Sequence, residues 1–340
     1  MSMRLNTRPP GGGRRTRWTR RTWLAATMAA AALPAALRAA PAYPARPVRV
    51  VVPWPAGGTA DAGARRFASL LERHLGGAFV VENRPGASGQ VGTEFVARAA
   101  PDGYTLLAGD VAANAINPCV SSTMKLDSSR DLQPVSLRSR APLVLVVHAG
   151  SGIRSLEDLV ARSRAGAEPM AYASPGAGGL HHLEMERLAR ATGARLVPVA
   201  YKGESLAVTD VAGGQVPVMF CLPVAAMPHI QSGRLRALMV TSRKRIPLLP
   251  QVPTAAEVGR ADLEAVSWGA FYAPRNTPRE IVDRLAAAIA AAGEDPGLRE
   301  FLAQFGAEPM HSTPEELAQW TRAESTRLCA MVRELGLRAP

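Results

Sequence analysis

Aromatic residues are scarce in this chain, at 5% of 340 residues, and cysteines number three. Cys119, Cys221 and Cys329 are too far apart for a zinc or iron–sulfur ligand set. An exported chain can form one disulfide from three cysteines, but one thiol must stay over; the expectation is buried free thiols. Enzyme signatures are missing too. There is no phosphate-binding G-x-x-x-x-G-K-[ST], no G-x-S-x-G nucleophile elbow, and no G-x-G-x-x-G after the first strand. No segment beyond the first forty residues is long and apolar enough to span a bilayer. Acidic residues are absent before residue 43, where Arg4, Arg8, Arg14, Arg15, Arg17, Arg20, Arg21 and Arg38 lie. Subtracting those eight from the formal charge of +12 leaves +4, spread along the chain without a basic run. That distribution argues against nucleic acid as a partner.

The first 42 residues read as an export signal. A basic region ends in "TRRTWLA", an alanine-rich stretch runs from Trp23 to Leu37, and "AAPAYP" offers cleavage after Ala40 or Ala42. The paired Arg20 and Arg21 give it a twin-arginine look, with the general secretory route as the alternative. No cysteine stands at the cut, which argues against a lipid anchor.

The remaining length suggests two domains. The chain turns on "VRVVVPWPAGGTADAGARRFASLLERHL", Val48 to Leu75. It reads as a buried strand, a glycine turn and an amphipathic helix, with Thr59 or Asp61 as cap. Unpaired N–H groups at such a helix start form a small anion site made of backbone; an ordinary strand-to-helix connection looks the same. A second strand over 78–82, a helix over 91–99 and a third strand over 104–108 complete a βαβαβ pattern, the mark of a parallel sheet with helices on its faces. Ligands sit beyond the carboxyl ends of such strands, here the loops 55–59, 83–89 and 109–114. "AINPCV" then opens a long irregular section. After a strand at 142–147, Ser155 caps a helix with Asp158 three residues on. "PMAYASPGAGGLHHLEMERLARATG" repeats the opening idea, with a strand at 170–173, a glycine turn and a helix at 180–192. Two such units can face each other across a cleft and hold the ends of an elongated anion. Thr277 and Thr313 are expected caps of C-terminal packing helices.

Chemistry-bearing side chains are few. His181 and His182, with Glu184 and Glu186, supply a possible pair of metal ligands on one helix face, but no third; the plainer role is a histidine packed at the helix start and donating a hydrogen bond. Asp61 reads as an N-cap rather than a base. Lys202 either faces the cleft or is simply exposed. Asp110 ends the third strand, and if it faces the cleft it repels a carboxylate and attracts an ammonium.

The chain resembles the solute receptors of tripartite tricarboxylate transporters, the Bug or TctC-like extracytoplasmic binding proteins. The resemblance is carried by "YPARPVRVVVPWPAGGTAD", "VVENRPGASGQVG", "AAPDGYTLLAGD", "YASPGAGGLHHLE", "YKGESLAVTDVAGGQVPVMF", "PHIQSGRLRALMVTS" and "SWGAFYAP", in the family's order from Tyr43 onward. It implies an α/β, two-lobed periplasmic-binding-protein fold, each lobe a mostly parallel sheet flanked by helices, with a ligand cleft between them. Residues 43–145 plus 270–340 would form the first lobe and 146–269 the second. The implied contacts are Ala56, Gly57, Gly58, Asp61, Ser88 and Asp110 in the first lobe. In the second they are Ser174, Gly176, Gly178, His182 and Tyr201. Gly179 and Leu180 replace the family's usual small hydroxyl residues, and Cys221 stands where an Asp or another small residue is common.

The expected function is an exported, periplasmic, monomeric receptor, without catalysis, cofactor or metal. It would capture a di- or tricarboxylate or an acidic amino acid and deliver it to membrane transporter subunits. A ligand sensor feeding a signalling protein and an exported α/β enzyme are the alternatives. If Asp110 faces the cleft, amino-acid ligands should outcompete plain dicarboxylates.

Overall fold

The β-branched run Val48–Val52 forms β1, with all four valines fully buried, and Pro53 lies just beyond it. The computed structural model describes residues 43–120, 126–176 and 178–337. The export signal expected over residues 1–42 lies outside them, and the described fold belongs to the unit that begins at Tyr43. After β1, helix α1 (Thr59–Leu75) turns Ala64, Phe67, Ala68, Leu70 and Leu71 onto the sheet. Full burial of each large apolar side chain is worth roughly 1.5–3 kcal/mol. Strand β2 (Phe79–Asn83), helix α2 (Gln90–Ala97) and strand β3 (Thr105–Asp110) follow. β1 pairs in parallel with both β2 and β3, as the βαβαβ pattern requires.

The expectation of a long irregular section fails next. A π-helical turn (Ala112–Ile116) and two short helices (Asn117–Val120 and Ser128–Asp131) lead into β4 (Leu132–Pro142), an eleven-residue strand. Ser136, Arg138 and Arg140 break its apolar alternation. Two register shifts against its neighbour break it again, so a period of two is not visible in the sequence.

One residue later the chain enters β5 (Val144–His148) and a second sheet. Helix α3 (Leu156–Ala165), β6 (Met170–Ser174), α4 (Leu180–Thr192), β7 (Leu196–Ala200), α5 (Glu204–Ala212), β8 (Val218–Cys221), α6 (Pro223–Gln231) and β9 (Leu235–Val240) build it. Strand β10 (Val266–Pro274) returns to the first sheet. Helices α7 (Arg279–Gly293) and α8 (Pro296–Gln304), the short β11 (Glu308–Pro309) and helix α9 (Pro314–Leu335) end the chain.

The first sheet has six strands in the order β11-β4-β10-β3-β1-β2, and the second has five in the order β7-β6-β8-β5-β9. Each is parallel across three strands and antiparallel where the crossing strands join, so both are mixed rather than mostly parallel. The cause is connectivity: β4, β5, β9 and β10 run between the sheets and pair without a crossover helix.

The C-terminal helix α9 packs on β4 and also on α4 of the second sheet. Trp268 Nε1 donates to Glu324 at 3.2 Å, and Tyr272 and Thr321 share a buried 2.7 Å hydroxyl bond. Glu184 of α4, 1% exposed, pairs with Arg187 beside Arg327 of α9. Cys119 and Cys329 form a disulfide across 210 residues, with Cα atoms 5.3 Å apart. This corrects the expectation of free thiols for both; Cys221 is buried and free. α9 and the turn after β3 meet in space, which spacing in the sequence does not reveal.

Helix starts differ in detail from expectation. Thr313 forms a full capping box with Glu316. Ser155 accepts from the Asp158 N–H, but the Asp158 carboxylate reaches Arg154 instead of Ser155. Thr277 caps nothing, because Pro278 occupies the cap position and the Thr277 hydroxyl donates to the Pro274 carbonyl. Among the described residues no helix is long and apolar enough to cross a membrane.

Candidate functional site

The loops at the carboxyl ends of β1, β2 and β3 are tied together by side chains. Asn83, the last residue of β2, donates to the Trp54 carbonyl at 3.1 Å and to Asp61 at 2.9 Å. The Trp54 indole donates to the Asp110 carboxylate at the end of β3. Asn117 donates to the Ser88 carbonyl at 2.5 Å. Ser88 itself is exposed with φ 53°, a left-handed conformation between Gly86 and Gly89. Ala56, Gly57 and Gly58 are exposed at the mouth of this group.

Neither Thr59 nor Asp61 caps α1; Gly58 does, without a side-chain bond. Asp61 sits inside the first turn, 3% exposed, and accepts from the Gly57 N–H at 2.9 Å. Arg65 and Asn83 complete its shell. Burial works to raise its pKa, but the bonds from Arg65, Gly57 and Asn83 outweigh it and hold the group below the ordinary carboxylate value. The Gly57 N–H is therefore taken by the protein. Those of Gly58, Thr59 and Ala60 have no acceptor among the described residues and are the open donors of this helix start.

Asp110 is committed in the same way. It accepts from the Trp54 indole and from the Ala113 N–H at 2.9 Å, while its own N–H donates to Asn114. Burial pushes its pKa up; the Ala113 and Trp54 bonds and the nearby Arg138 oppose that without reversing it. A Cβ on Gly109 would collide with the Asn114 amide.

The second glycine turn repeats the scheme with other groups. Ser174, 1% exposed, donates to the Gly176 carbonyl at 2.8 Å. His182 Nδ1 accepts the Gly178 N–H at 2.9 Å, so this histidine receives a bond where a donor was expected. Burial lowers its pKa, and Glu186 opposes only in part. Glu186 lies 3.8 Å from His182 Nε2 and takes the Tyr172 hydroxyl. Tyr201 donates its N–H to the Ser174 carbonyl and its hydroxyl to Asp210. Burial first, and then Asp210, push its pKa up to about 12. His181 faces Glu204 at 3.2 Å, and Lys202 is exposed. Among the described residues no group of three potential metal ligands occurs.

Gly178, at φ +74°, lies against Val120 so closely that a Cβ would overlap it. Val120 follows Asn117, which holds Ser88. The second glycine turn thus lies against the short helix Asn117–Val120, whose first residue holds the Ser88 loop. Trp54, Asn83, Asn114, Asn117 and Arg138 were not foreseen from sequence. The first four sit in or beside the expected loops as amide or indole donors, a usable signal; Arg138 lies in the stretch expected to be irregular.

Known proteins match this chain along nearly the whole described fold. A model of the tripartite tricarboxylate transporter family receptor, TctC, matches residues 64–337. Protein BugT of Bordetella pertussis strain Tohama I is 37% identical over 295 residues, covering 86% of this chain and 90% of BugT. A solved R. palustris protein with adipate is 34% identical with TM-score 0.81, over 88% of this chain and 100% of that one. MatC from Rhodopseudomonas palustris with bound malate is 29% identical with TM-score 0.76, over 85% of this chain and 100% of that one. The chain belongs to the tripartite tricarboxylate transporter receptor family, whose members are two-lobed solute-binding receptors and not enzymes.

Proposed function

We propose that this chain is an exported periplasmic receptor that closes a small dicarboxylate between two lobes and presents it to membrane subunits of a tripartite tricarboxylate-type transporter. The lobes follow the two sheets, so the expected bounds 43–145 plus 270–340, and 146–269, shift by a few residues to keep β5 (Val144–His148) in the second lobe and β10 (Val266–Pro274) in the first; the receptor acts as a monomer. The observation that carries the reading is the pair of strand–glycine–helix units, each starting its helix at a glycine cap without a side-chain bond, the second seated against the short helix that holds the Ser88 loop. One carboxylate is received by the α1 turn at Ala56–Ala60, flanked by Ser88. The other is received by the α4 turn, where Ser174, Gly176, Gly178 and His182 fix the backbone and Tyr201 closes the side. Asp61 and Asp110 shape the first turn from beneath. Adipate and malate, the ligands of the two similar solved proteins, have the required pair of carboxylates.

The test is thermal unfolding of the chain from Tyr43 against a panel of dicarboxylates, tricarboxylates and acidic amino acids. A ligand at a hundred times its Kd stabilises by ~2.7 kcal/mol. A clear upward shift with a dicarboxylate supports the reading. No shift with any carboxylate, for protein shown by mass spectrometry to be ligand-free, refutes it.

A further inference from the structure

Arg138 is a buried charge that no hydrogen bond among the described residues explains. It is 5% exposed, and its guanidinium has no hydrogen-bond acceptor among the described residues; Nε is buried and unpaired. Its place is built by the backbone. Gly269 of β10 pairs with Ser139 and the next residue, Ala270, with Leu137, so Arg138 is the extra residue of a β-bulge. Bulges re-aim side chains, often beside functional sites. The guanidinium lies flat over Gly269, where a Cβ would come within 2.7 Å of Cζ, and against Gly63 of α1, where one would come within 3.0 Å of Nη1. Two glycines on two elements thus make room for one side chain. Gly269 pairs on its other side with Asp110, and the two charges interact across it. A guanidinium this buried, without a full set of acceptors, is costly unless its charge is used.

We propose that Arg138 is the specificity-determining residue of the first-lobe anion site, its charge set against that of Asp110 across Gly269 so that the cleft accepts ligands bearing carboxylates alone and rejects those with an α-ammonium. This rests on the carboxylate-receptor reading and deepens it. With Asp110 already bonded by the Trp54 indole and the Ala113 amide and its charge opposed by Arg138 across Gly269, no free carboxylate remains there to receive an ammonium. On this proposal the preference runs opposite to the one expected if Asp110 faces the cleft.

Succinate against aspartate, and adipate against 2-aminoadipate, differ only by the ammonium group. Calorimetric titration of the wild-type chain should show each dicarboxylate binding at least about tenfold more tightly than its amino partner. Arg138→Met leaves Asp110 buried with an uncompensated charge. It should weaken dicarboxylate binding by about tenfold or more and narrow or invert the ratio, while Arg138→Lys keeps the preference. A packing role alone would weaken both ligands of a pair equally. If Arg138→Met does not fold, Asp110→Asn carries the test: dicarboxylate affinity should hold or rise and the preference over the amino partner should widen. An unchanged ratio in both variants, or a wild type that prefers the amino acids, overturns the proposal while leaving the receptor reading intact. A wild type that binds no carboxylate of either kind refutes the receptor reading, and this proposal with it.

Discussion

Asp61 receives the N–H of Gly57 at 2.9 Å, so the first glycine turn is closed by a carboxylate four residues along the chain. The same carboxylate holds Asn83 and Arg65, which makes it the joint between β1, β2 and α1. Asp61→Ala should therefore lower stability by about 1–3 kcal/mol, since it orphans several donors at once. Ligand affinity should fall as well, although Asp61 carries the wrong charge to touch an anion. Asp61→Asn keeps an acceptor for the Gly57 N–H and should fall between. Chemical denaturation and calorimetry on the three proteins check this.

His182 makes the second turn sensitive to acid. Its Nδ1 must stay unprotonated to accept the Gly178 N–H. The folded value lies below the ordinary 6.5, so as pH falls through that range the unfolded chain takes up the proton first. The stabilisation is complete above 6.5 and is lost as pH drops through the depressed value. Ligand binding should weaken over the same range. His182→Asn, which offers an amide oxygen near the Nδ1 position, should bind near neutrality and lose this dependence.

Glu184 predicts a slope of opposite sign. Burial raises its pKa to about 7, against Arg187 and Arg327, which pull it down. Between 4.5 and 7 the folded state holds more protons than the unfolded one, so this group's contribution to stability falls as pH rises and levels off above 7. Glu184→Gln should flatten that slope in a series of unfolding midpoints. Because Glu184 and His182 oppose each other over part of the range, each slope is read in the variant that silences the other.

The disulfide is checked by counting thiols. Denatured, unreduced protein should react with one equivalent of thiol reagent, at Cys221, and native protein with none. Reduction, or Cys329→Ser, should lower the unfolding midpoint; closing a loop of 210 residues gives an upper figure of about 5 kcal/mol in the chain-entropy treatment. A count of three thiols in the unreduced protein would refute the pairing.

Gly178→Ala should impair both folding and binding, because the new methyl group needs φ +74° and the space held by Val120. Adding Val120→Ala removes the collision but not the backbone strain. The double variant should recover part, and not all, of the lost stability and affinity.

The sequence shows those elements whose residues answer to local rules. The valines of β1, the glycine turns and the span of α4 follow from β-branching, positive φ and helical spacing, and the observed bounds agree closely. β4 was illegible because its bulges break the period of two and because Arg138 and Ser136 stand at buried positions. The Cys119–Cys329 bond and the Trp54–Asp110 contact join residues 210 and 56 positions apart, and nothing local records such pairings. In the site, the loops could be named but not their internal bonds. The open N–H groups of Gly57 and Gly178 therefore looked available until their partners, Asp61 and His182, were seen to take them.

The bridge to Cys329 has a bearing on how the molecule is made. Its two sulfurs lie 210 residues apart, and every strand of both sheets precedes the second of them, so covalent closure must wait until all eleven strands have been synthesised. A polypeptide that stops short of Cys329 cannot be sealed. The oxidised bond thus marks copies in which α9 has come to rest beside the turn after β3.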